Sequence, residues 1–323
     1  VRGELSFEHE HIPDYVLVRA NGDPLYTLVN PTDDALMEIT HVLRGEDLLS
    51  STPRQIALYE AFKQIGVGQG ITPEFGHLPY VMGEGNKKLS KRDPESSLLM
   101  YRREGFLPEG LLNYLALLGW SFGDDIEFFS MKEMADNFEI SRVSANPARF
   151  DIKKCTAINA DWIRKLSVEE LATRMEKQLI EVGVLPNSPS KEQKDLLLAA
   201  TPLVHERLET LSQVPGMLSF LFVEEKDFVV DHEDAEKSLT HDILPALEAS
   251  VKIIKELPEF KTEKLHDELN RVLVTEMGLK ARIVFTALRV AVTGRRVSPP
   301  LFESMEIMGR EKVISRIEKH LKK

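Results

Sequence analysis

Two short runs rich in β-branched and aromatic residues, Tyr15–Arg19 (YVLVR) and Leu25–Val29 (LYTLV), flank Asn21-Gly22. This pattern predicts two strands around a tight turn. A strand-like phrase, Val1–Phe7, precedes them. Ala35–Leu43 is a short apolar-periodic stretch that runs into Arg44-Gly45-Glu46-Asp47. Ser51-Thr52-Pro53 follows and predicts a helix through Ile56, Leu58, Tyr59 and Phe62, stopped near Gly66. Strand, polar loop and capped helix in that order predict an α/β nucleotide-binding core. His77–Met82 (HLPYVM) is a further strand candidate, turned by Gly83-Glu84-Gly85-Asn86. Pro108 and Gly119 then bracket an apolar helix, Leu111–Leu118, which is expected to be buried.

From Ser130 the pattern is almost wholly helical. Ser130-x-x-Glu133, Ser167-x-x-Glu170 and Ser190-x-x-Gln193 are capping boxes. Leu171, Met175 and Leu179 recur at i, i+4 and i+8, with Gly183 as the stop. Thr201-Pro202 and Ser298-Pro299 repeat the cap-then-proline signature, and Val313, Ile317 and Leu321 share one face of the last helix. The fold expected is α/β plus all-α: a mixed N-terminal third followed by a helical remainder.

Composition adds bounds. The 323 residues, 42% apolar and 29% charged, suit about two compact units of a globular protein. One cysteine, Cys155, excludes an intramolecular disulfide and a cysteine-rich zinc site, and suits a reducing cytosol. No apolar run approaches the roughly 20 residues of a membrane span, and no signal-peptide pattern opens the chain. A chain that begins on Val1 in mid-element is expected to be a fragment or processed product. The net charge is −11, unevenly spread: residues 1–150 carry 14 basic and 23 acidic groups, while the last 73 carry 16 and 10. A basic C-terminal quarter on an acidic protein fits either a solvated lysine-rich surface or local phosphate contact.

The densest chemistry lies in Lys87–Arg92 (KKLSKR). Several cationic donors on one loop can surround a polyphosphate and neutralise charge as pyrophosphate leaves, and lysine suits this as a compact charge on a flexible stem. Alone, the string also fits an exposed basic loop or a sorting signal. Asp33-Asp34 lacks a third ligand nearby and reads as helix N-terminal charge rather than a metal site.

Lys88-Leu89-Ser90-Lys91-Arg92 resembles the K-M-S-K-S loop of class I aminoacyl-tRNA synthetases, in the form found in glutamyl-tRNA synthetases. Upstream, Tyr26-Thr27-Leu28-Val29-Asn30, Asp33-Asp34, Met37-x-Ile39-Thr40-His41-Val42-Leu43-Arg44-Gly45-Glu46-Asp47-Leu48 and Ser51-Thr52-Pro53-Arg54-Gln55 are similar to the distal half of that family's catalytic domain. Downstream, Gly105-Phe106-Leu107-Pro108-Glu109, Asn113-Tyr114-Leu115 and Leu118-Gly119 match the helical segment that follows. Leu288–Gly294 and Ser298-Pro299-Pro300-Leu301-Phe302-Glu303 match the anticodon-binding end. The resemblance runs from about Asp14 to the C-terminus.

It implies the second half of a Rossmann-type class I synthetase catalytic domain, then helical stem-contact and all-helical anticodon-binding domains. The boundaries expected are 1–66 (distal catalytic half with the end of the acceptor-stem insertion), 67–160 (signature loop and stem contact), 161–222 and 223–323 (two helical anticodon-binding subdomains). The family's His-Ile-Gly-His motif has no counterpart, since His9-Glu10-His11-Ile12 has the wrong order. Roughly 150–200 residues, about one domain's worth, are therefore expected to be missing. The implied activity is glutamate–tRNA ligase, in which ATP activates glutamate as an adenylate that is transferred to the 3′ end of tRNA(Glu). The chain by itself is expected to be inactive; the alternative is a non-catalytic tRNA-binding module. The helical C-terminal half is expected to separate it from glutaminyl-tRNA synthetase, whose anticodon domains resemble β-barrels.

Residue by residue, the resemblance implies that Tyr26, Asn30 and Arg44 bind glutamate, the arginine gripping a carboxylate bidentately. A structural ion pair of Arg44 with Glu46 or Asp47 is the alternative. Gly45, Leu48, Lys88, Leu89, Ser90 and Lys91 would bind ATP, Lys88 and Lys91 acting catalytically on the phosphates and Gly45 admitting a ligand close to the backbone. Arg207, Arg289, Ser298, Pro299 and Leu301 would contact tRNA, with Arg289→Ala expected to weaken tRNA binding at little cost in stability. ATP is the substrate, with Mg²⁺ accompanying it, and no protein-bound zinc or other metal site is expected. The partners implied are tRNA(Glu), with tRNA(Gln) left open, L-glutamate and ATP, for a cytoplasmic monomer without membrane contact.

Overall fold

The computed structural model describes residues 1, 3–83, 87–90, 92–123 and 125–321. In chain order its regular elements are α1 (Tyr26–Leu36), β1 (His41–Gly45), α2 (Thr52–Ile65), β2 (Glu74–Leu78), β3 (Val81–Met82), α3 (Leu98–Arg103), α4 (Pro108–Leu117), α5 (Met131–Asn137), β4 (Ala148–Arg149) and α6 (Ile152–Lys165). Among the described residues nine more α-helices follow: α7 (Val168–Glu181), α8 (Lys191–Val204), α9 (Val214–Phe222), α10 (His232–Ser238), α11 (Leu244–Glu256), α12 (Thr262–Leu269), α13 (Ala281–Thr293), α14 (Leu301–Met308) and α15 (Arg310–Leu321). The chain divides into two compact units, Val1–Ser97 with Leu112–Lys154, and Leu98–Leu111 with Cys155–Lys323. Among the described residues no helix is long and apolar enough to cross a membrane.

The first unit is organised by β1, α2 and β2. The two strands pair in parallel, His41 opposite Glu74 through Gly45 opposite Leu78, and a parallel pair needs a crossover, here helical. Pro53 sits in the first turn, where its missing N–H has no helical partner to lose, and Gly66 ends α2 at φ 73°. Leu58, Tyr59 and Phe62 on α2 make a small core with Leu17, Leu28, Ala35 and Phe75.

Several local expectations change here. The turn at Asn21-Gly22 forms, with the Leu25 N–H donating to Leu17 O at 2.8 Å. Neither run is a strand: Tyr15–Arg19 contributes only an isolated bridge, Val18 with Pro24, and Leu25–Val29 leads into α1. Leu28 and Ala35, seven residues apart, both face the core, a helical spacing that a five-residue window cannot distinguish from strand. Val1–Phe7 forms no strand among the described residues. Asp33 and Asp34 lie in the last turn of α1, not its first, and burial pushes the Asp34 carboxyl above its usual range against the opposing charge of Arg44. In α4, Leu111 and Tyr114 are buried while Leu112 and Leu115 are exposed, so the helix is amphipathic rather than buried all round. Of the turn Gly83–Asn86, residues 84–86 lie outside the described ones.

The second unit is helical. The capping boxes at Ser167 and Ser190 form, as does the one at Ser130 in the first unit. Leu171, Met175, Leu179, Leu197 and Val204 anchor one core. Leu247, Ile254, Leu265, Leu288, Val313 and Ile317 anchor another. Neither cap-then-proline site opens a helix as expected. Thr201 and Pro202 lie inside α8, where the buried Thr201 hydroxyl donates to Leu197 O at 2.8 Å. Helix α14 begins after Ser298-Pro299, with Pro300 at the N-cap.

Part of the basic C-terminal quarter is used inward. Arg310 donates to Lys255 O and Leu257 O at the end of α11. Lys312 donates to Leu221 O, and Arg316 to Phe220 O, at the end of α9. Arg316 also donates to Val292 O near the end of α13. Helix C-termini leave carbonyls unsatisfied and carry partial negative charge, so cations belong there.

Glu306 performs the opposite task. Its carboxylate accepts from the Thr262 N–H (2.6 Å) and Lys261 Nζ (2.8 Å), capping the N-terminus of α12 from α14. The Lys261 bond, followed by the Thr262 bonds, lowers its pKa from 4.5 to about 2. A depressed carboxylate stabilises the fold above its unfolded pKa and loses that stabilisation as pH falls through the folded value. Glu306→Gln is expected to lower the melting temperature at pH 7, the gap from the parent closing between pH 4.5 and 2. A gap that stays constant over that range would remove the capping role.

Candidate functional site

Arg44 lies near the carboxyl end of β1, opposite His77 in the strand register. Open parallel sheets place ligands outside the carboxyl ends of their strands. The Arg44 Nη2 group donates to Thr52 Oγ1 (2.8 Å) and Gln55 Oε1 (2.6 Å), and the guanidinium carbon lies 5.4 Å from the centre of the Phe75 ring. Nε and Nη1 are shielded and have no hydrogen-bond partner among the described residues. Two unpaired donors on a permanently charged group are costly unless a ligand answers them. His77 is buried with Nε2 2.9 Å from Thr52 Oγ1, and burial, then the Arg44 charge, hold its pKa below the usual 6.5.

The structure brings Asn30 to this group through Gln55, whose Nε2 donates to Asn30 Oδ1 at 3.5 Å. Tyr26 is half-exposed one helical turn before Asn30, hence on the same face of α1. Of the two carboxylates in the alternative ion pair with Arg44, Asp47 is engaged elsewhere. Asp47 pairs instead with Lys88, Oδ2 to Nζ 2.7 Å. That bond lowers the Asp47 pKa and raises that of Lys88, and the Lys88 ammonium also lies 4.3 Å from the centre of the Tyr80 ring.

The signature loop thereby meets the end of β1. Leu89 anchors it, its N–H donating to Val81 O at 2.9 Å. Ser90 begins a turn, its N–H donating to the Asp93 carboxylate (2.7 Å) and its carbonyl accepting from Ser96 Oγ (2.8 Å). Lys91, expected to touch phosphate, lies outside the described residues. Leu48 gives its carbonyl to Thr52 Oγ1 at 3.3 Å. At Gly45 an added Cβ would stand 2.5 Å from Asp47 Oδ1, so the missing side chain makes room for Asp47. Among the described residues no three His, Cys, Asp or Glu side chains gather as a metal site.

The second constellation lies in the second unit. Arg289 Nη1 donates to Ser298 Oγ (2.7 Å) and to the carbonyls of Ser298 (3.4 Å) and Pro299 (2.5 Å). Arg207 Nη1 reaches the same Ser298 carbonyl at 3.3 Å. Four of the five residues expected to contact tRNA are therefore one cluster, with Arg207 exposed and Arg289 half-buried. Burial, then the neighbouring Arg207, lowers the Arg289 pKa. These bonds make Arg289 a brace for the loop before α14, so its replacement is expected to cost stability, where the sequence alone suggested little cost. Leu301 is 3% exposed and packs in the core below.

Thr52, Gln55 and His77 were not singled out from the sequence. One signal existed: Thr52, Gln55, Tyr59 and Phe62 fall on one helical stripe, all buried. A glutamine on a core stripe must have a partner.

A family described as "tRNA synthetases class I (E and Q), catalytic domain" matches residues 1–157, and one described as "Anticodon binding domain" matches residues 168–321. The chain is 58% identical over 317 residues to the glutamate–tRNA ligase of Saccharopolyspora erythraea, covering 98% of this chain and 63% of that protein. It is 56% identical over 321 residues to the glutamate–tRNA ligase of Nocardioides sp., covering 99% and 65%. A crystal structure of a glutamate tRNA ligase from Elizabethkingia meningosepticum in complex with its amino acid superposes with a TM-score of 0.78 at 30% identity, covering all of this chain and 64% of that one. The chain thus spans just under two thirds of the length of these relatives.

Proposed function

The chain belongs to the class I tRNA synthetases (E and Q), and on that premise we propose that it serves ATP-dependent charging of tRNA(Glu) with glutamate. The observation that carries this reading is Arg44 near the carboxyl end of a parallel strand, a guanidinium linked to Asn30 through Gln55, with two shielded donors unanswered among the described residues. In this reading Arg44, Asn30 and Tyr26 hold L-glutamate. Lys88 and Lys91, with Gly45, Leu48, Leu89 and Ser90, hold ATP. Cationic side chains suit developing charge on phosphates, and Mg²⁺ travels with the nucleotide rather than in a protein cage. Lys88, now paired with Asp47, would exchange that carboxylate for phosphate oxygens.

Both bidentate edges of a guanidinium include Nη2, and here Nη2 already has two acceptors. Glutamate would accordingly be met by separate charge-assisted bonds from Nη1 and Nε rather than by a fork. The finer domain division, 1–66, 67–160, 161–222 and 223–323, belongs to this proposal and is supported in the second unit by its two hydrophobic cores. So does action as a cytoplasmic monomer. The proposal leaves tRNA(Gln) as a second substrate to be tested beside tRNA(Glu).

Arg207 and Arg289, around Ser298 and Pro299, are proposed to face unstacked anticodon bases, which arginine reads by stacking and hydrogen bonding. The 323-residue chain is expected to bind tRNA(Glu) more tightly than an unrelated tRNA in filter-binding assays. Arg207→Ala should weaken that binding about 5-fold, the size of one lost charge contact, with an unchanged melting temperature. Arg289→Ala should weaken binding and lower the melting temperature together. Equal affinity for both tRNAs would end the tRNA reading. Binding without glutamate-dependent pyrophosphate exchange would favour the binding-module alternative for this chain.

A further inference from the structure

The side chains behind Arg44 determine what the site offers to a ligand. We propose that Gln55 is a specificity-determining residue that fixes the donor polarity of the site, so that Arg44 and Asn30 both present N–H groups and select a carboxylate over a carboxamide. The proposal rests on reading Arg44 as the ligand's carboxylate contact and extends it to residues to which that reading gives no role.

Its logic is a chain of forced choices. Arginine has donors only, so the Gln55 atom 2.6 Å from Arg44 Nη2 must be the carbonyl oxygen. That assignment turns the Gln55 amino group the other way, toward Asn30 at 3.5 Å, where it needs an acceptor. Asn30 answers with Oδ1, which leaves its own Nδ2 group as the one turned elsewhere. Gln55 is 1% exposed, and a buried amide with a charge at one end cannot flip without leaving donor against donor. Thr52 Oγ1 holds the second Nη2 hydrogen at 2.8 Å and is itself backed by His77 at 2.9 Å. The guanidinium plane is thereby pinned on one side, and Nε and Nη1 are left for a ligand.

A ligand entering such a site meets donors from Arg44 and from Asn30. A carboxylate accepts with both oxygens. A carboxamide accepts with one and places its –NH₂ against another donor, the arrangement by which buried polar sites reject a near-isostere. Gln55 touches no ligand in this scheme and acts only by orienting two residues that do.

The test compares the 323-residue chain with Gln55→Leu, which cuts the relay, and Gln55→Glu, which keeps an acceptor for Arg44 but also turns an acceptor toward Asn30. L-glutamate and L-glutamine are titrated into each, following the Arg44 Nε–H and Asn30 side-chain amide signals by NMR, with melting temperatures measured alongside. The parent is expected to prefer glutamate by about 10-fold or more. Gln55→Leu should weaken glutamate about 10-fold, one hydrogen bond to a charged group, while leaving glutamine nearly unchanged. Gln55→Glu should favour glutamine. A mere packing role would weaken both ligands in step, and a preference unchanged in both variants would overturn the proposal.

A parent chain whose Arg44 signal ignores glutamate would instead overturn the reading of Arg44. The relay is then decided without ligand. Asn30 amide protons that exchange freely in the parent and slowly in Gln55→Glu would support it, and equal exchange would sink it.

Discussion

Replacing Arg316 with leucine is expected to destabilise the second unit by about 3 kcal/mol, because it leaves two carbonyls and a partly exposed carboxylate without their donor. Arg316 has no exposed surface. Its Nε donates to Glu225 Oε1 (2.9 Å), Nη1 to Val292 O (2.7 Å) and Nη2 to Phe220 O (2.9 Å), while the Phe228 ring covers it with its centre 3.8 Å from the guanidinium carbon. Leucine fills part of the volume and answers none of these acceptors. Burial lowers the Arg316 pKa from its ordinary value while Glu225 opposes the shift, and the planar fork keeps three acceptors satisfied at once. Lysine reaches as far but offers a single nitrogen, so Arg316→Lys should recover only part of the loss. Arg164, paired with Asp161 at the surface, is the control, since such pairs contribute at most about 1 kcal/mol. Urea unfolding of the three variants measures the contrast. A loss at Arg316 no larger than at Arg164 would show that the clamp is dispensable.

Arg44→Met carries the second large effect and a different signature. Glutamate affinity should fall about 100-fold, as two charge-assisted hydrogen bonds are lost at roughly 1.5 kcal/mol each. Stability should change by less than about 1 kcal/mol, because the change removes two unanswered buried donors along with two good bonds. A residue that holds ligand at the expense of the resting fold shows this division. Calorimetric titration with L-glutamate and thermal unfolding of the same preparations test it. An unchanged affinity accompanied by a fall of 2 kcal/mol or more would make Arg44 structural. The contrast with Arg316 is physical: both are shielded arginines, but one has every donor answered and the other does not.

How far the sequence reached depended on the range of the interaction concerned. Capping boxes at Ser130, Ser167 and Ser190 were legible because both partners lie within four residues. The helix opened by Thr52-Pro53 and closed by Gly66 was legible for the same reason. The run Leu25–Val29 was misread because a five-residue window carries no usable period, and the decision fell to Leu28 and Ala35 meeting the α2 core. The motif around Lys88 and the position of Arg44 were found by resemblance. Their meeting through Asp47, 41 residues from Lys88, was not.

The local code of this chain, then, sufficed for its capping boxes, for the capped helix α2 and for the helical character of the second unit. These depend on neighbours a few residues apart. Folding settled which C-terminal cations among the described residues cap helices, that Arg289 braces a loop, and that Gln55 stands behind Arg44. A charge or an amide has no direction until distant carbonyls, carboxylates and rings are packed around it, and burial then makes every unanswered donor matter.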